Sequence, residues 1–226
     1  IVSLLDQGRY TRPKDIAKAA ISLVKLEPDL QKHLQLVDAY VIESPQDVIS
    51  DLSAFPLLQK LMSVCPLPDL ELEWLLTNLR CSILLNISSL KEVSPELLGF
   101  QSALALQCFT NEYIYNNTDS ERKALRALEK TVKSAFKNNK QPSPQALLAI
   151  ASYKALNEYD WCNLLVPTDS IQEVFTRQVE EPNEEKKLRQ DLPILKEISD
   201  NVSSEVREQY EESPYPRWVN VRSYLR

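Results

Sequence analysis

Few residues in this chain have types and spacing suited to chemistry. The only histidine, His33, stands alone, whereas a zinc site draws several imidazoles or thiolates together. The four cysteines, Cys65, Cys81, Cys108 and Cys162, form no CxxC pair, and three lie in apolar stretches of helical character. Buried free thiols in a reducing compartment are the preferred reading, with disulfides or a metal site as the alternatives. Adjacent carboxylates such as Glu211 and Glu212 project in different directions from a helix, so they do not converge on one substrate atom. Asn111 and Glu112 close a nearly all-apolar run and would need partners if buried. A structural hydrogen-bond network is the preferred account of them, and a functional site the alternative.

The most distinctive stretch is 210–218, YEESPYPRW. Pro214 and Pro216 donate no backbone hydrogen bond, and each pushes the preceding residue out of helical geometry. The chain therefore leaves its last helix as an extended strap carrying Tyr210, Tyr215, Arg217 and Trp218. Aromatic rings of this size on an extended segment call for a surface to pack on. That surface is either the chain's own body, making the strap an anchor, or a neighbouring domain or ligand. In the second case Tyr215 and Trp218 are expected to be only partly covered within this chain.

Composition excludes several classes. Gly8 and Gly99 are the only glycines in 226 residues. Rossmann loops, P-loops and nucleophile elbows all require glycine where the backbone turns sharply or approaches phosphate. Tight hairpins are disfavoured for the same reason. A net charge of −6 opposes non-specific nucleic-acid binding by the whole chain. No 18-residue apolar run suggests a membrane span, so the expectation is a cytoplasmic protein with neither nucleic-acid nor membrane partner. The sequons at Asn86, Asn116 and Asn201 are then chance matches. The start at Ile1 and the end at Arg226 are expected to be cuts in a longer protein.

The elements that must position these residues read as helix after helix. Ser44-Pro45, Ser94-Pro95 and Ser143-Pro144 each set a capping hydroxyl before a proline suited to a first turn. Helices are expected over 13–26, 28–42, 46–63 with a break at Phe55-Pro56, 69–87, 95–116, 119–138, 144–159, 169–180 and 200–212. Leu72, Leu75, Leu76, Leu79, Ile83 and Ile87 form one apolar stripe on the fourth of the long segments. Helix 95–116 is apolar nearly all round and is predicted to be central, with Phe100, Leu104 and Cys108 buried. Thr118 and Glu121 make a capping box. The helix they open carries a basic face, including Arg122, Arg126, Lys130 and Lys133, which reads as solvated, with an anionic partner as the alternative. The fold class is all-α, a multi-helix bundle or irregular array of eight or more helices ending in the proline–aromatic strap. Three regions are expected: a helical hairpin region over 1–64, a helical core over 65–167, and a connector with the strap over 168–226.

The run 178–219 and its strap resemble the segment that precedes the catalytic domain in bacterial tetratricopeptide-repeat methyltransferases. There a QYEENPYPRW strap leads into a class I S-adenosylmethionine-dependent domain; this chain has Ser213 in place of the asparagine. Upstream, LALQCFTNEYIY at 104–115 is similar to that family's LARQCFINEYVF, and CPLPDLELEWLLTNLR at 65–80 fits the helix before it. The resemblance covers about 65–219. The cofactor loop and the acidic residue after the second strand of such an enzyme are absent. What the resemblance implies is a non-catalytic helical region with no catalytic residue and no S-adenosylmethionine site of its own. Its partner would be a downstream methyltransferase domain or another protein, and Tyr210, Tyr215, Arg217, Trp218, Asn111 and Glu112 are the candidate contact residues. A stand-alone interaction scaffold is the alternative.

Overall fold

The computed structural model describes residues 1–7, 12–35, 42, 44–88 and 94–190. These residues form helices and connecting turns and no strand, so the chain is all-α. Packing gathers Ile1–Pro182 into one compact unit and begins a second at Asn183. The boundaries expected at 64/65 and 167/168 both fall inside the first unit.

Five short helices open the chain: Val2–Gln7 (α1), Pro13–Val24 (α2), Pro28–Gln35 (α3), Pro45–Ser53 (α4) and Pro56–Val64 (α5). The expected break at Phe55-Pro56 separates α4 from α5. Proline begins four of these helices, where its missing N–H has no intrahelical acceptor to lose. Leu70–Leu85 (α6) follows, with the Asp69 carboxylate accepting from Leu72 N at 3.0 Å as its cap. Then come Pro95–Thr110 (α7), Asp119–Lys137 (α8) and Pro144–Ala151 (α9). Ser94 and Ser143 cap α7 and α9 as their spacing predicts, accepting from Leu97 N and Ala146 N. Ser44 makes no such side-chain bond. Thr118 and Glu121 form the complete reciprocal box at the start of α8. Further on lie Gln172–Phe175 (α10), a π-helical turn over Thr176–Glu180 and Glu181–Gln190 (α11).

Two elements end earlier than their periodicity suggests. The helix expected over 95–116 stops at Thr110, because Glu112 and Tyr113 take left-handed backbone angles, φ 60° and 57°. There Tyr113 N donates back to Cys108 O at 2.8 Å, closing the helix without a glycine. The helix expected over 144–159 stops at Ala151. Beyond it the Leu156 amide donates to the Gln178 side chain instead of an intrahelical carbonyl. Trp161 stacks between Phe136 and Tyr159, with centroids 5.2 and 4.7 Å away.

The core is double, and α7 serves both halves. Leu97, Phe100, Ala103, Leu104 and Cys108 pack into one apolar cluster with α2 to α6. Ala105 and Leu106 face a second cluster with α8, α9 and the segment around Val174 and Val179. This is why α7 lacks a polar stripe: a helix covered on opposite sides has no face to give to water. Phe100, Leu104 and Cys108 are at most 1% exposed, as their position on this helix predicts. Truncating Leu104 to alanine is expected to cost about 2–5 kcal/mol, from lost burial plus the cavity left behind. Urea unfolding of the variant checks this, and a loss below about 1 kcal/mol would mean that the surroundings collapse to fill the space.

Candidate functional site

The candidate pair Asn111–Glu112 sits at the end of α7, where the chain leaves the helix. The two residues differ in burial there. Glu112 is exposed, whereas Asn111 is half-buried, with its Oδ1 shielded from solvent and unbonded among the described residues. Tyr210, Tyr215, Arg217 and Trp218 lie outside the described residues.

This turn lays the next segment across a buried charge. Tyr113 packs against the first core and its hydroxyl donates to Ala151 O at 3.4 Å. Residues 115–117 then pass over Arg80 of α6. Arg80 Nη2 donates to the Asn116 carbonyl at 2.6 Å and to Asn117 Oδ1 at 2.7 Å, with Tyr115 O at 3.5 Å. Glu121 of α8 stands 3.5 Å from the same nitrogen. Its Oε1 accepts from the Tyr153 hydroxyl at 2.7 Å, and its Oε2 accepts from Thr118 N at 2.7 Å and Thr118 Oγ1 at 2.8 Å. The guanidinium also lies over the Tyr153 ring, 4.2 Å from its centroid, and near that of Tyr115 at 5.5 Å. Both charged side chains are sealed, at 1% and 2% exposure.

Arg80 escaped notice in the sequence, although a signal was present. It follows Leu72 and Leu76 at four-residue intervals, so it occupies an inward register position of a strongly apolar helix. A charge at such a position demands a buried counter-charge. Glu121 was legible as the N3 member of a capping box. That reading accounts for one carboxylate oxygen; the other faces Arg80 and Tyr153.

A second buried polar tie comes from the π-helical turn. Arg177 and Gln178 are consecutive yet both buried, because the wider turn brings more adjacent residues onto one face than an α-helix does. Arg177 donates to the Ser63 carbonyl and to Thr110 Oγ1 at 3.1 Å. Gln178 Nε2 donates to the carbonyls of Ala105 at 3.3 Å and Ala151 at 3.1 Å. Gln107 of α7, with its amide nitrogen turned toward them, donates to the carbonyls of Met62 and Cys65 at 3.0 Å each. In that orientation its oxygen accepts from Leu67 N at 3.2 Å. Of the polar residues on α7, Gln107 and Thr110 are thereby tied into the fold.

The chemistry available is correspondingly limited. All four cysteines are free thiols. Burial pushes Cys65 up to about 11 and Cys108 up to about 12; Cys81, raised by burial and by the Glu121 charge, reaches about 11. Cys65, Cys81 and Cys108 are therefore thiols rather than thiolate nucleophiles near neutral pH. Burial likewise raises the phenols of Tyr115 and Tyr153. His33 is buried against Asp51, Nε2 to Oδ2 2.8 Å, and no group of acidic, histidine or cysteine residues among those described could hold a metal. On the surface, a cleft of about 850 Å³ opens between α5, α7 and the 168–173 segment, with Gly99, Ser102 and Ala103 among its lining residues. Gly99 is not demanded by crowding, since a Cβ there would meet only Gln59 Oε1 at 3.7 Å. The basic face of α8 is open to solvent, and Lys133 pairs there with Asp160 at 2.6 Å. Among the described residues no helix is long and apolar enough to cross a membrane.

No family description matches this chain, and neither a curated protein nor a solved structure does.

The raised thiols have a consequence for stability. Each folded value exceeds the ordinary 9.0, so the native state holds its protons more tightly than the unfolded chain. Their contribution is complete below about pH 9 and is lost as pH rises through about 11 to 12. Urea unfolding at about pH 7 and about pH 10 is expected to show a lower midpoint at the higher pH. Equal midpoints would contradict the burial of these thiols.

Proposed function

We propose that this chain is the non-catalytic helical region of a class I S-adenosylmethionine-dependent methyltransferase, where it recognises a substrate or partner and positions the catalytic domain. The observation that carries the reading is the strap at 210–218, YEESPYPRW, together with the similar runs at 65–80 and 104–115. The chemistry of the body is compatible with it. Burial raises its Cys65, Cys81 and Cys108 thiols, its Arg80–Glu121 pair is sealed from substrate, and its surface cleft has the volume of a ligand site.

On this reading the run at 104–115 contributes by its conformation. The left-handed pair Glu112–Tyr113 turns the chain so that 115–117 can cover Arg80, and Ile114 is left at the surface with 73% exposure. Ile114 is then a part of this run that a docking partner can meet, while Tyr113 and Tyr115 hold the turn in place.

Calorimetric titration of the 226-residue chain with S-adenosylmethionine is the direct test of the division of labour. No saturable heat is expected, because the glycine-rich loop and acidic residue that hold the cofactor are lacking. A clear one-to-one isotherm at micromolar concentration would overturn the proposal.

A further inference from the structure

The interior between α6, α7 and α9 has a polar feature that the ion pair does not explain. Arg80 directs Nη2 to Glu121 and to the 115–117 segment, but its Nε and Nη1 find no acceptor among the described residues. Gln101 of α7 is buried, 2% exposed, and neither its Oε1 nor its Nε2 is bonded among the described residues. Both side chains line one small internal cavity of about 10 Å³, with Ser152 of the α9 end and apolar groups such as Leu104 and Leu148 completing the wall. Polar atoms from two helices thus converge on the same space. Leaving them bare against aliphatic walls is strongly unfavourable.

We propose that this cavity is a binding site for a single water molecule, held as an integral part of the fold and joining α6, α7 and α9. Size selects the ligand. One water needs roughly 10–15 Å³ measured in this way, so the cavity admits one and excludes any organic group. Charge points the same way: Arg80 already faces a carboxylate at 3.5 Å, so the site does not demand an anion, and common halides are larger than water.

The cavity wall offers a partner for each of three hydrogen bonds of the water. The water accepts from an Arg80 N–H and donates one hydrogen to Gln101 Oε1. Ser152 Oγ can take the other hydrogen, because its own hydroxyl hydrogen is donated to Leu148 O at 2.9 Å. Three partners is the usual number for a buried water. Through it, Gln101 joins the Arg80 network, and the two polar residues that neither the ion pair nor the α7 hydrogen bonds satisfy become one bridge.

The test is a high-resolution crystal structure of the chain grown with bromide in place of chloride. The expected result is one solvent peak in the cavity, within hydrogen-bonding distance of Arg80 and Gln101, with no bromine anomalous signal. A bromine peak there would make the ligand an anion and overturn the proposal. So would an empty cavity, or a Gln101 amide turned to bond Arg80 directly.

Discussion

The rest of this structure depends on taking one guanidinium out of water. Arg80 lies in the interior at 2% exposure, and an isolated charge there would be strongly destabilising. Its compensation draws on elements far apart in sequence. The carboxylate comes from α8, two carbonyls and an amide oxygen come from the segment after α7, and two aromatic faces come from Tyr115 and Tyr153. Each of those groups reaches Arg80 only if its own element is correctly placed. The desolvated charge therefore specifies how α6, α7, α8 and the chain beyond α9 meet. Such a pair adds little net stability compared with well-packed apolar side chains, but breaking it is severe.

Around that constraint, α7 supplies the apolar frame. One side packs against the N-terminal helices and another against α8 and α9. Its backbone is reached from outside by the Gln178 side chain at Ala105 O, and its side chains Gln107 and Thr110 are tied to the α5 end and to Arg177. Polar side chains that cross two apolar cores cross-link helices whose nonpolar contacts alone would tolerate sliding.

Much of this frame was legible in the sequence, and the gaps have physical causes. The α6 stripe, the all-round apolar α7 and the Thr118–Glu121 box follow from spacing alone, because local periodicity and capping decide them. The ends of α7 and α9 do not. Glu112 and Tyr113 adopt left-handed angles without glycine, a strained choice that tertiary contacts at Tyr113 and Tyr115 hold in place. The π-helical turn at Thr176–Glu180 is equally hidden, since its widening serves the contacts of Arg177 and Gln178 with other helices. Of the candidate site residues, Asn111 and Glu112 were marked for their position at the end of an apolar helix. The buried charge that the following 115–117 segment covers, Arg80, is visible only as an exception within the α6 register.

A double-mutant cycle on Arg80→Met and Glu121→Gln tests this account most directly. Each single variant leaves one charge buried without its counterpart and is predicted to lose about 3–5 kcal/mol in urea unfolding. The double variant removes both charges and should be no less stable than the worse single, with a coupling well above about 1 kcal/mol. Single losses below about 1 kcal/mol that simply add in the double variant would contradict it, and would reduce the buried pair to a bystander in a fold held by apolar packing.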